Sequence, residues 1–155
     1  MTEQAEHAAT TQASGLPTVH TSKPYTITSW MGQVIVAIVL AQTLFFKFTN
    51  APETQVIFEK LGGRPAAIAS GVVELVIVVL ILIPKTAAWG ALLGILMMIG
   101  AIGSHLAVIG IKVPTPDGTG DDGGMLFGMA IGVLLLSLMV AFLRRDTILG
   151  LLAKG

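Results

Sequence analysis

Three ionisable residues, Lys47, Glu74 and His105, stand inside or at the end of long apolar blocks. A charge at membrane depth costs about 3 kcal/mol or more unless it is paired, neutralised or hydrated, so such positions carry most of the chemistry. Glu74 follows eight residues after Ala66, where its block begins, which puts it about 12 Å along a helix and near mid-membrane. His105 stands six residues before Ile111, roughly 9 Å from that helix end. Because successive spans alternate in direction, Lys47, Glu74 and His105 fall in the same half of the membrane. The acidic pair Asp121 and Asp122 opens onto that half as well.

The spacing of their neighbours gives these residues faces. Ala66, Ser70 and Glu74 recur every fourth residue, a small-residue stripe suited to packing against another helix. Gly94, Met98, Ala101 and His105 form a similar stripe with Ser104 beside it. Gln33 and Lys47 fall within about 40° of one another on a helical wheel. Glu74, His105, Lys47, Ser104 and Asp122 are therefore the candidate buried polar ligand site, with Glu74 expected within direct or one-water reach of Lys47, His105 or a loop aspartate. Each also has a plain structural reading. Lys47 can snorkel to the headgroups, Glu74 can be an interhelical ion pair or hydrogen bond, and His105 and Ser104 can bond between helices. Asp121 and Asp122 can cap the helix that follows them.

These residues need elements long enough to cross a bilayer, and the composition supplies them. The chain has 155 residues, 54% hydrophobic and 12% charged, against about 25% charged in a soluble domain. Residues 1–29 read as a polar, mostly disordered tail, unstructured up to about Lys23-Pro24, with no signal-peptide pattern. A membrane domain, 30–145, follows, and 146–155 form a short tail. The first span runs from Trp30 to Phe48, the second from Ala66 to Ile83, the third from Ala87 to Ile111 and the fourth from Gly124 to Leu143. Blocks of this length match a roughly 30 Å hydrocarbon layer. Between the first two, Asn50-Ala51-Pro52-Glu53 reads as an N-cap, an early proline and an N3 glutamate. They predict a short interfacial helix over about Pro52–Leu61, ended by Gly62-Gly63. The expected fold is an all-α integral membrane protein, a four-helix antiparallel bundle with that helix between its first two spans. The glycine pairs Gly90/Gly94 and Gly128/Gly132 are expected to let helices approach closely.

Several functions drop out at this point. Net charge is zero with no basic run, so there is no footprint for nucleic acid. The absence of cysteine removes thiol chemistry and cysteine-ligated clusters from the chain itself. The loop lacks an EF-hand's glycine and terminal glutamate, and one histidine within a span does not make a bis-histidine haem site. Lys23, Lys85, Arg144, Arg145 and Lys154 share one side against Lys47, Lys60, Arg64 and Lys112 on the other, a bias toward cytoplasmic termini.

Phe45-Phe46-Lys47-Phe48, the core Gly71-Val72-Val73-Glu74-Leu75, Ser104-His105-Leu106 and Asp122-Gly123-Gly124-Met125-Leu126-Phe127 together resemble the DoxX family over about residues 30–145. The resemblance implies a bacterial inner-membrane protein working in a redox system, quinone-linked or concerned with oxidative stress. A catalytic sulfur role would need a partner protein. Three functions compete. One is a redox component whose polar cluster binds a quinone headgroup. The second is a non-enzymatic subunit or scaffold, joined to other redox membrane proteins or to copies of itself; it suits the lack of a complete catalytic set. The third, a proton or small-molecule transporter, ranks last, because Ile77–Ile83, Trp89–Leu96 and Val133–Phe142 contribute only Ser137 toward the opposite face.

Overall fold

The computed structural model describes residues 23–147, so the expected disorder of the tail lies outside the described residues. The described residues are helical apart from short connections and a longer loop, 110–124, that closes on an antiparallel bridge between Pro114 and Asp121: α1 (Lys23–Phe48), α2 (Pro52–Glu59), α3 (Gly63–Leu82), α4 (Ala87–Ser104), which runs on as a π-helical turn His105–Ile109, and α5 (Met125–Leu143). Four helices are long and apolar enough to cross a membrane. Their outer faces carry Val72, Val79, Leu96, Ile99, Leu135 and Phe142 exposed, a surface that suits acyl chains rather than water. Inside, Val36, Leu40, Ile77, Ile81, Ala91, Met98, Val133 and Val140 form the core. α1 and α4 each pack against both α3 and α5, closing a four-helix ring.

Two sets of polar contacts fix its ends. Arg64 Nη1 and Nη2 donate to the Lys47 and Phe48 carbonyls at 2.6 and 2.8 Å, tying the start of α3 to the negative end of the α1 dipole. At the other end Arg144 Nε donates to Ser29 Oγ at 3.0 Å and Nη1 to the Pro84 carbonyl at 3.1 Å. The start of α1 and the ends of α3 and α5 meet there.

The helix boundaries correct the sequence reading in three places. The first helix begins at Lys23 rather than Trp30, with Pro24 in its first turn, where a missing N–H is harmless. Asn50 does not cap the short helix. It stands at φ 56° just past the end of α1, with Ala51 N bonded to Phe46 O at 3.0 Å and its own N to Lys47 O at 3.3 Å. That is the double bond of a Schellman ending, in which asparagine tolerates the left-handed conformation. The short helix keeps its proline start but stops at Glu59; Leu61 follows it as a half-buried turn residue.

The two glycine pairs also differ. A β-carbon at Gly90 would meet Ile81 N at 2.6 Å, and one at Gly94 would meet Ser137 Oγ at 3.0 Å. Those two glycines are what let α4 lie against α3 and α5. Gly128 and Gly132 have nothing within 4 Å of the same position. The expectation of close approach is wrong for them, because they lie on the side of α5 turned away from its neighbours.

Candidate functional site

Glu74 is only 3% exposed, yet neither carboxylate oxygen is without a partner. Lys47 Nζ donates to Oε1 at 2.5 Å, and the Thr43 hydroxyl lies 2.9 Å from Oε2. Thr43 and Lys47 are one turn apart on α1, so one helix face presents a hydroxyl and an ammonium together. The close approach is set by Gly71, where a β-carbon would already be 3.4 Å from the Phe48 ring. Lys47 meets the expectation for Glu74, and its ammonium Nζ lies 5.7 Å from the Phe58 ring centroid on α2. An ammonium has three N–H groups. Glu74 takes one, and the other two have no hydrogen-bond partner among the described residues.

His105 is buried and opens the π-helical turn, in which Gly110 N reaches back to the His105 carbonyl at 2.8 Å. The wide turn, with Gly110 at φ 98°, brings the Gly110 carbonyl to 2.8 Å from the ring Nδ1. A carbonyl can only accept, so Nδ1 carries a proton, and the tautomer leaves Nε2 free to accept. Phe127 holds the ring edge-on at 5.7 Å between centroids. Single π turns of this kind recur at functional sites.

Asp122 is chiefly a helix cap. Its Oδ1 accepts from Val113 N at 2.7 Å and Gly124 N at 2.9 Å, and Oδ2 accepts from Leu126 N at 2.9 Å. Partial burial pushes its pKa up, but those three backbone donors outweigh it and hold the carboxyl below its usual range. Asp121 turns back to Gly123 N at 2.8 Å. Earlier in the loop, hydrogen bonds from Thr115 and Thr119 hold the Asp117 carboxyl down at about 2. The Ser104 hydroxyl is spent on the Gly100 carbonyl at 2.9 Å.

All five candidate residues line one cavity of about 640 Å³ enclosed by all five helices and the π-helical turn. That is the size of a pocket for a small organic ligand. Most of its wall is apolar, with Phe46, Phe58, Met97, Met98, Met125 and Met129 prominent; methionine adapts its shape to a flat ring. Sequence reasoning missed Thr43, whose one-turn spacing from Lys47 was available, and Thr54, buried on α2 and facing the same space. Gln33 does not join the cluster. It shares a face with Lys47 but lies fourteen residues earlier, about 21 Å along the helix, and Ser29 Oγ accepts from its Nε2 at 2.7 Å. Among the described residues no group of three His, Cys, Asp or Glu could hold a metal ion.

No protein-family model matches the chain, and no curated protein or solved structure matches it.

Proposed function

We propose that this chain is a DoxX-like component of a bacterial inner-membrane redox system and that its cavity binds a quinone-type headgroup. The observation that carries the reading is the buried Lys47–Glu74 pair with Thr43 on the wall of a large apolar cavity. Two spare ammonium N–H groups suit a ligand carbonyl, and the free His105 Nε2 suits a ligand hydroxyl. A quinone presents the first group when oxidised and the second when reduced. Reduction adds two electrons and two protons; a partner redox protein supplies the electrons, while Glu74 and His105 are placed to exchange protons. The four spans run antiparallel with cytoplasmic termini, and α2 lies at the interface over the cavity mouth. Lipid surrounds the bundle.

The test is titration of the detergent-solubilised chain with a short-chain quinone, read as a shift in its thermal unfolding. Wild type should be stabilised, and Glu74→Gln and His105→Phe should lose that response while retaining their own unfolding transitions. An equal response in all three proteins, or none in wild type, would sink the assignment.

A second reading has its own support. Thr43 and Lys47 join α1 to Glu74 on α3 without any ligand, which is what a scaffold subunit or homo-oligomer component needs. In that case Glu74→Gln weakens the bundle or a complex, and quinone does nothing to either.

A further inference from the structure

The half of the bundle away from the cavity holds two polar atoms that the packing leaves unsatisfied. Gln33 and Ser137 are both fully buried, at 0% exposure, and among the described residues neither Gln33 Oε1 nor Ser137 Oγ has a hydrogen-bond partner. A buried polar group without a partner costs about 1–3 kcal/mol. Ser137 is unusual for another reason. Ser70 and Ser104 each donate to a carbonyl of their own helix at 3.0 and 2.9 Å, the usual recourse of a hydroxyl in an apolar span. Ser137 does not. Its hydroxyl faces Gly94, and only the missing β-carbon there leaves it room.

These atoms stand in sequence along the bundle. Arg144 and Ser29 are bonded at its end, and Ser29 accepts from Gln33 one turn further in. Gly32 packs against Val140, so inward from that level Gln33 is about 1.5 Å along α1 and Ser137 about 4.5 Å along α5. One turn beyond Ser137 is Val133, which lines the cavity that holds Glu74. A buried water typically makes about three hydrogen bonds to such orphaned groups.

From this column we infer that the bundle carries an internal water path by which protons reach Glu74 from the end bearing Arg144. Gln33 Oε1 positions the water, and the Ser137 hydroxyl, both donor and acceptor, passes the proton on. The charged and titratable groups around Glu74 are Lys47 from α1, Glu53 from α2, His105 from the π turn and Asp122 from the loop before α5. All four line the same cavity as Glu74, whereas Ser29, Gln33 and Ser137 on the Arg144 side are uncharged. No ligand is required, so failure of quinone binding leaves this inference untouched.

The experiment uses the full chain in lipid vesicles captured through an outward C-terminal tag, which fixes the Arg144 end outside. External acidification is followed by infrared absorption of the protonated Glu74 carboxyl, identified by its absence in Glu74→Gln. Wild type should protonate well before the vesicle interior acidifies. Ser137→Ala and Gln33→Leu should slow that step by about tenfold or more. Gly94→Ala, which keeps both polar groups but fills the space, should slow it likewise. Protonation that waits for interior acidification, or variants all as fast as wild type, overturns the path. Should a variant not fold, magnetisation transfer from water to the Gln33 side-chain amide of wild type decides the matter: present, it supports the path, and absent, it refutes it.

Discussion

Replacing Lys47 with Met keeps most of the apolar stem and removes the ammonium that Glu74 faces. At 2.5 Å and an effective dielectric of about 20 the pair's gross attraction is ~7 kcal/mol, much of it offset by desolvation. What matters is what is left behind. Glu74 stays 3% exposed with the Thr43 hydroxyl as its remaining partner, and an unpaired buried charge of that kind costs about 3–5 kcal/mol. The loss has a ceiling, because the carboxyl can bind a proton instead. Protonating an ordinary glutamate costs about 3.7 kcal/mol at pH 7 and about 1 kcal/mol at pH 5. Lys47→Met should therefore destabilise the bundle by about 3 kcal/mol at pH 7 and about 1 kcal/mol at pH 5. Glu74→Gln should cost less than about 1 kcal/mol, because the amide still bonds Thr43 and the lysine, already 13% exposed, can swing its flexible stem toward water. The double variant should recover most of the Lys47→Met loss. Unfolding in mixed micelles of increasing denaturing detergent, followed by circular dichroism at both pH values, gives these differences. A Lys47→Met loss independent of pH, or a Glu74→Gln loss as large as that of Lys47→Met, would refute the reasoning.

Three further outcomes follow from the geometry. Gly90→Ala should lower stability by about 1–3 kcal/mol, since its β-carbon would meet α3 backbone atoms at 2.6–2.9 Å, whereas Gly128→Ala should be neutral or slightly stabilising; both are read by the same unfolding titration. Asp122→Asn should cost about 1–2 kcal/mol. The wild-type carboxyl is held below its usual range, so its contribution is full above the unfolded value of about 3.9 and is lost as pH falls through the lower folded value; acid unfolding of Asp122→Asn should lack that step. Thr43→Val should lower quinone affinity or proton exchange at Glu74 with a loss of stability under about 1.5 kcal/mol, measured by ligand titration beside unfolding.

The helices long enough to span, the proline start of the short helix and the interior position of Glu74 were legible because each is local. Block length, a fixed φ and the expense of a buried carboxylate need no knowledge of neighbours. Depth narrowed the partners of Glu74 to Lys47, His105 or a loop aspartate, and only the packing of α1 on α3 selects Lys47. What escaped depends on a partner. Asn50 has the composition of an N-cap, and only the hydrogen bonds from Ala51 and Asn50 back into α1 reveal a helix ending. Gly90/Gly94 and Gly128/Gly132 have identical spacing, and only packing separates the pair that is covered from the pair that is not. The cap that Asp122 makes on the helix after it was legible, whereas its bond from Val113 N across the loop was not, since it depends on how the loop folds back. Gln33 shared a helical face with Lys47, but about 21 Å of rise separates them, which a wheel projection does not show.

The central claim is that the cavity around Glu74 and Lys47 holds a quinone-type molecule. The most direct measurement is native mass spectrometry of the full chain purified from bacterial membranes in mild detergent, with Glu74→Gln and Lys47→Met prepared alongside. The account predicts one quinone-class molecule on wild type, greatly reduced on both variants although they retain helical structure. Wild type carrying no such molecule, or the variants carrying as much of it as wild type, would contradict the account.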